Sequence, residues 1–245
     1  MKDAFEVIYA LWMFLVLLVK LVIVFIGLFV LPYYIWKHYD DLKTRSAKMA
    51  DMARKRGMKF EQAFDRRRDK IYRFLRKVGG SRRYALNVIS GKSEGYRVTM
   101  FEYHYQRYFD CEVWEYHRWI QHYYLSYFVL DLEKDLPGLS ISDESTNSKI
   151  LSRIADAIGR GDIDFESHEF SERYEVRGDD KKFAYDFCNA QMIEYLIDRT
   201  IIPIEVEKKA LAICYGSQLH ESDIEPNLKH LVNLRRLMPD YLFSA

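Results

Sequence analysis

Tyr84–Tyr105 (YALNVISGKSEGYRVTMFEYHY) is the stretch on which the reading of the fold turns. Two runs rich in aromatic and β-branched residues, Tyr84–Ile89 and Tyr96–Tyr105, flank Gly91-Lys-Ser-Glu-Gly95. Such residues suit a pleated surface, and a glycine-bounded polar insert between them signals a hairpin. Trp119–Leu132 continues the pattern as a third long strand, and Leu136-Pro137-Gly138-Leu139 turns into a short one at Leu139–Ser142. An antiparallel meander is expected.

Beyond the meander the signals mix. Lys149–Ile158 reads as a short helix closed by Gly159-Arg160-Gly161, and Phe170–Val176 as a strand. Asp179 is a candidate N-cap for a helix through Ile197. Ile202–Glu205 and Leu211–Cys214 suggest a closing hairpin, and Ser222-Asp-Ile-Glu225 a capping box for a last helix to about Met238. Strands first, then helices and strands together, predict an α+β domain: a mainly antiparallel sheet or open barrel with two or three packed helices.

N-terminal to this domain, residues 1–36 read as a short outside tail and a transmembrane helix. Crossing a bilayer core takes roughly 20 apolar residues; Met13–Pro32 supplies them, between Tyr9 and Trp12 at one end and Tyr33, Tyr34 and Trp36 at the other. Aromatic belts of this kind mark membrane interfaces. A cleaved signal peptide fits poorly, because the apolar run is too long for an h-region and no small-x-small site precedes Pro32. Lys20 interrupts the run. It lies about 12 Å along the helix from Trp12, at a depth where a charge costs about 2.5–3.5 kcal/mol. Tilt with snorkelling would relieve it, and so would a partner helix or a second copy of this chain.

Residues 37–83 form a basic segment, with 17 Lys and Arg against 6 Asp and Glu. Only Lys2 precedes the span, so the excess of positive charge places residues 84–245 in the cytoplasm of a single-pass cell-membrane protein. Three scattered cysteines, Cys111, Cys188 and Cys214, agree with a reducing compartment. The basic segment is expected to be an amphipathic helical stalk. At 100° per residue Phe60, Phe64, Ile71, Phe74, Leu75 and Val78 share one face, with Arg67 as the exception within it. Residues 84–245 hold 18 Lys and Arg against 28 Asp and Glu, a charge opposite to that of the stalk. Packing of the stripe on the following domain is one expectation. Binding of anionic lipid or of a partner through Lys37, Lys43, Arg45, Lys48, Arg66, Lys70 and Arg73 is another. Nucleic acid, suggested by Arg66-Arg67-Arg68, is disfavoured, since net charge is only +1 and no base-reading module is visible.

The run from Leu136-Pro137-Gly138-Leu139 through Phe170-Ser-Glu-Arg-Tyr174-Glu-Val176-Arg-Gly-Asp179, on to Phe183-Ala-Tyr-Asp and Met192-Ile-Glu-Tyr-Leu196, resembles an uncharacterised prokaryotic family. Its members are membrane-anchored proteins with a cytoplasmic α+β domain of unknown function. Cys188-Asn189-Ala190 stands where that pattern often has Leu-Thr-Pro. The resemblance spans roughly residues 84–220, implies the fold and the anchor, and brings no catalytic residues with it.

Candidate chemistry is sparse. Asp162, Asp164, Glu166 and His168 alternate, so a strand would gather them on one face as hard-cation ligands; solvated alternation over apolar Ile163 and Phe165 is the plainer reading. His104, His117 and His122 lie near Cys111, Glu112 and Glu115 without zinc-type spacing. No catalytic motif, metal site or cofactor is expected. Residues 84–128 carry 14 Phe, Trp and Tyr, more than one buried face accommodates. Tyr103, Tyr105, Trp119 and Tyr123 are therefore expected to line a partner surface. The functional expectation is a membrane-tethered interaction module that binds a protein partner or assembles with itself. Peripheral binding of anionic lipid is the alternative, and a metal-dependent hydrolase a more distant one.

Overall fold

The computed structural model describes residues 2–62, 64–110, 118–143 and 163–244. The chain divides into two compact units, Met1–Lys48 and Met49–Ala245.

The first unit is helical. Helix α1 (Lys2–Phe25) passes through a π turn at Ile26–Val30 into helix α2 (Leu31–Lys55). Within them the 27-residue stretch Leu11–Lys37, in which 18 consecutive residues reach a mean hydropathy of 3.2, is long and apolar enough to cross a membrane, and none of those 18 is buried in the structure.

The end of α2 belongs to the second unit, where Met49, Met52 and Ala53 enter the core. A helix running on to Val78 is not what forms. Gly57 takes φ +65, Met58 N–H donates to Ala53 O at 2.8 Å, and Gly57 N–H donates to Arg54 O at 3.0 Å. These two bonds close the helix with a left-handed glycine, which has no Cβ to clash there. The chain then makes a short strand β1 (Lys59–Glu61) and two single-turn helices, α3 (Arg68–Ile71) and α4 (Phe74–Lys77). The expected apolar stripe is split accordingly. Phe74, Leu75 and Val78 are buried, whereas Phe64 and Ile71 are exposed.

The meander is present: β2 (Ser81–Ser93), β3 (Tyr96–Asp110) and the 26-residue β4 (Arg118–Asp143) pair antiparallel in sequence. The first turn is only Glu94-Gly95, both at positive φ, the geometry that matches strand twist in a two-residue hairpin. Further on come α5 (His168–Arg173), β5 (Tyr174–Gly178), α6 (Lys181–Phe187), α7 (Ala190–Ile197), β6 (Ile204–Tyr215) and α8 (Glu221–Leu237). One open six-stranded sheet results, in the order β1-β2-β3-β4-β5, with β6 also on β4. The class is α+β.

Local differences from the sequence reading have local causes. Ser167 accepts from Phe170 N–H and starts α5 where a strand was expected at Phe170. Asp180 caps α6 instead of Asp179, and Asn189 recaps the chain as α7, so the single helix to Ile197 becomes two. The closing hairpin is one strand, β6; opposite Lys208 (φ +51) the register slips because β4 carries the extra residues, between Asp131 and Leu136 and again before Leu139. His220 precedes α8 without a side-chain cap, and the Ser222 hydroxyl bonds to Asp223 Oδ1 instead of capping. The helix read at Lys149–Ile158 lies outside the described residues.

Both faces of the sheet are covered. Against one, α5–α8 place Phe170, Phe183, Phe187, Met192, Ile224 and Leu231 on Met100, Phe128, Ile141 and Ile213. Against the other, α3 and α4 place Tyr72, Phe74, Leu75 and Val78 on Phe101, Tyr103, Tyr127 and Cys214. The basic character of this cover meets acid on β6. Lys77 Nζ lies 3.1 Å from Glu205 and Arg73 Nε 3.4 Å from Glu207.

Candidate interaction surface

The sheet determines which aromatics are available. On β3 and β4 successive side chains alternate between faces, and the cover from α3 and α4 reaches Tyr103 and Tyr105, which are fully buried. Their assignment to a partner surface is corrected: they are core. Tyr123 stacks on Tyr105 at 5.0 Å and is half-buried, with the Arg107 guanidinium over both rings. Trp119 alone of the four stands open, at 69% exposure.

Trp119 stands open because β3 and β4 outrun their neighbours. Pairing of β2 with β3 ends at Ser81↔Gln106, and pairing of β6 with β4 begins at Ser126↔Tyr215. Beyond both points Arg107–Asp110 and Arg118–Gln121 form a two-stranded ribbon with no further strand on either edge among the described residues. Phe109↔Trp119 make a cross-strand pair on one face and Tyr108↔Ile120 on the other; all four side chains are exposed. Tyr108, Phe109 and Ile120 were not singled out from the sequence. Their aromatic and β-branched character is the same as that of the buried strand, and only the lengths of β2 and β6 expose them.

The remaining candidates are dispersed. Lys20 and Lys37 are exposed on the helices of the first unit, as are Lys43 and Lys48, with Arg45 half-buried. Arg66 and Lys70 are exposed in the second unit, and Arg73 is engaged by Glu207. Asp162 lies outside the described residues. Residues 163–167 form no strand, so the expected one-face array of acids is absent there. Asp164 and Glu166 point outward on a loop, and His168, in the first turn of α5, pairs with Glu172 at 3.4 Å. Among the described residues no three His, Cys, Asp or Glu side chains gather for a metal.

Two polar clusters stand out, one partly exposed and one buried. His104 Nε2 and His122 Nδ1 meet at 2.9 Å, and Tyr84 stacks on His104 at 4.4 Å. Burial, then the His122 charge, hold the His104 imidazole below its ordinary value. Glu205 is buried between Lys77 Nζ and the Ser140 hydroxyl, which donates at 2.9 Å. Burial pushes its carboxyl up, against the opposing pull of Lys77. Among the described residues the thiols of Cys188 and Cys214 are buried, which raises Cys214 to about 12 and Cys188 as well, against thiolate chemistry. A cleft of about 620 Å³ opens between α5, α6 and α7. It has Phe165, Tyr185 and Ile193 as its apolar walls and Glu166, Glu169 and Glu194 among its polar ones.

These features define a class: an open antiparallel α+β domain that follows a helix of membrane-spanning length. No family model and no curated protein matches the chain. Among solved structures it is similar to the crystal structure of the mycobacterial trehalose monomycolate transport factor A, TtfA, with a TM-score of 0.52 at 12% identity. The likeness covers 79% of this chain and 96% of that one. It is a likeness of fold.

Proposed function

We propose that the protein is a membrane-tethered, non-catalytic module whose β3–β4 ribbon docks a protein partner, another chain or a second copy of this one. The observation that carries this reading is the ribbon itself. Two apolar cross-strand pairs, on opposite faces, stand in solvent beyond the end of the sheet. Exposed aromatics grouped in this way are the material of interface hot spots, and two unpaired strand edges add backbone donors and acceptors for a partner segment. The fold shared with a chain named as a transport factor supports an accessory role over an enzymatic one.

A photo-crosslinking residue at position 119 of the full chain in native membranes should give a discrete protein adduct. Trp119→Ala should weaken that association by about 30-fold, the equivalent of roughly 2 kcal/mol at a hot spot. Adducts with lipid alone, or none, would refute the reading.

The second unit is placed in the cytoplasm by the same reading, as in the prokaryotic family the sequence resembles, because the basic residues crowd the C-terminal flank of the span. A green fluorescent protein fused after Ala245 should fluoresce in a bacterial host, and an alkaline phosphatase fused there should be inactive. The opposite pair of results would invert the topology.

A further inference from the structure

At the root of the ribbon Arg66, Arg82, Arg83, Tyr84 and Gln106 line a half-open cavity of about 600 Å³ with no acidic residue in its lining. We infer that this cavity binds a phosphoryl group, of a phospholipid headgroup or of a soluble phosphate ester.

The local backbone explains how three guanidinium groups converge. In the β2–β3 register Ser81 faces Gln106 and Tyr84 faces His104, so Arg82 and Arg83 together oppose the single residue Tyr105. A bulge of this kind re-aims side chains, and its left-handed position is ordinarily glycine. Here that position is Arg82, at φ +48. A side chain there strains the backbone, and such strain is characteristically kept where the side chain has a use. Gly80, at φ +84, lets the chain press against β3: a Cβ would meet Gln106 O at 2.6 Å.

The nearby carboxylates compensate only part of the charge. Asp65 accepts from Arg68 Nε at 2.9 Å and from Arg67 N–H at 2.8 Å. Asp69 pairs with Arg83 at 3.6 Å. Among the described residues Arg66 and Arg82 have no acidic partner. Gln106 is only 7% exposed, and its carboxamide oxygen lacks a donor. Buried polar groups are rarely left so. Guanidinium groups match phosphoryl oxygens in geometry and charge, and a hydroxyl on the phosphate or beside it would satisfy Gln106. The compact form, five residues around one half-open cavity, fits a headgroup or a small ester better than a polynucleotide track.

The test uses the full chain in neutral detergent. Native mass spectrometry would compare phosphatidylinositol, phosphatidylglycerol and phosphatidylcholine; calorimetry would titrate inositol 1-phosphate and inorganic phosphate. A lipid site gives at least tenfold more adduct with the two anionic lipids than with phosphatidylcholine. A soluble-ester site gives calorimetric binding without that lipid preference. In either case Arg66→Gln and Arg82→Gly each weaken binding about tenfold, while Arg82→Gly, which relieves the backbone, leaves the melting temperature unchanged or higher. The inference is overturned if no phosphoryl ligand binds, if both variants bind as the native chain does, or if a single-stranded oligonucleotide binds and these ligands do not.

Discussion

Lys77→Met should destabilise the second unit by about 3–5 kcal/mol at neutral pH, because it strands a buried carboxylate. Glu205 is 2% exposed and has two partners, Lys77 and Ser140. Burial already raises its folded-state value above that of the unfolded chain, so it weakens the fold as pH climbs through the interval between the two. Without Lys77 the folded value rises further and the interval widens upward. The variant's deficit should therefore shrink on acidification, as the carboxyl is protonated in the folded state. Lys77→Met combined with Glu205→Gln should recover most of the loss at neutral pH, since the amide still accepts from Ser140. Thermal unfolding of the full chain in detergent, followed by near-ultraviolet circular dichroism across pH, measures all three. A deficit independent of pH would show that the lysine acts through its packing alone.

Phe74→Ala is expected to be as costly, about 3–5 kcal/mol, through lost burial and the cavity left behind. The ring is fully buried, stacked on Tyr72 at 5.3 Å and on Tyr127 at 5.4 Å. It is the centre of the contact between α4 and the sheet. Phe64→Ala is the control. In a continuous amphipathic helix the two phenylalanines would share one face and one fate. Here Phe64 is 70% exposed, resting edge-on against Tyr84, so its truncation should cost no more than about 0.5 kcal/mol. Equal losses in the same melts would contradict the split arrangement.

The basic segment shows why sequence reading succeeds and then stops. The charge partition between residues 37–83 and 84–245 was legible, and it is realised as Lys77 on Glu205 and Arg73 on Glu207. The helical periodicity of Phe60–Val78 was equally legible yet misled, because a stripe recurring at 3.6 residues records only that apolar groups are spaced suitably. One glycine in the left-handed region ended the helix, and of the stripe only Phe74, Leu75 and Val78 then found full burial, around α4 against the sheet. At the other end of the domain, the hairpin expected from Ile202–Glu205 and Leu211–Cys214 is a single strand, since β4 offers partners on both sides of Lys208 and takes up the register slip with its own extra residues.

The candidate surface follows the same logic. Trp119 was legible as a residue with more aromatic neighbours than a core needs. Tyr103 and Tyr105 were indistinguishable from it, having the same residue class and the same alternation. Their burial depends on α3 and α4 lying over that part of the sheet, and the exposure of Tyr108, Phe109 and Ile120 depends on where β2 and β6 end. Arg82 and Arg83 converge with Arg66 only because a bulge turns them, and no spacing announces a bulge.

By itself, then, the sequence determined the membrane-length helix, a hairpin turning within Gly91–Gly95, the α+β class and the complementary charges. Each of these rests on properties of a continuous run of residues: hydropathy, turn chemistry and composition. Tertiary structure alone decided which aromatics are core and which face solvent, and which carboxylates are buried. A strand's two-residue period assigns side chains to two faces, but what covers each face, and how far, is set by elements distant along the chain.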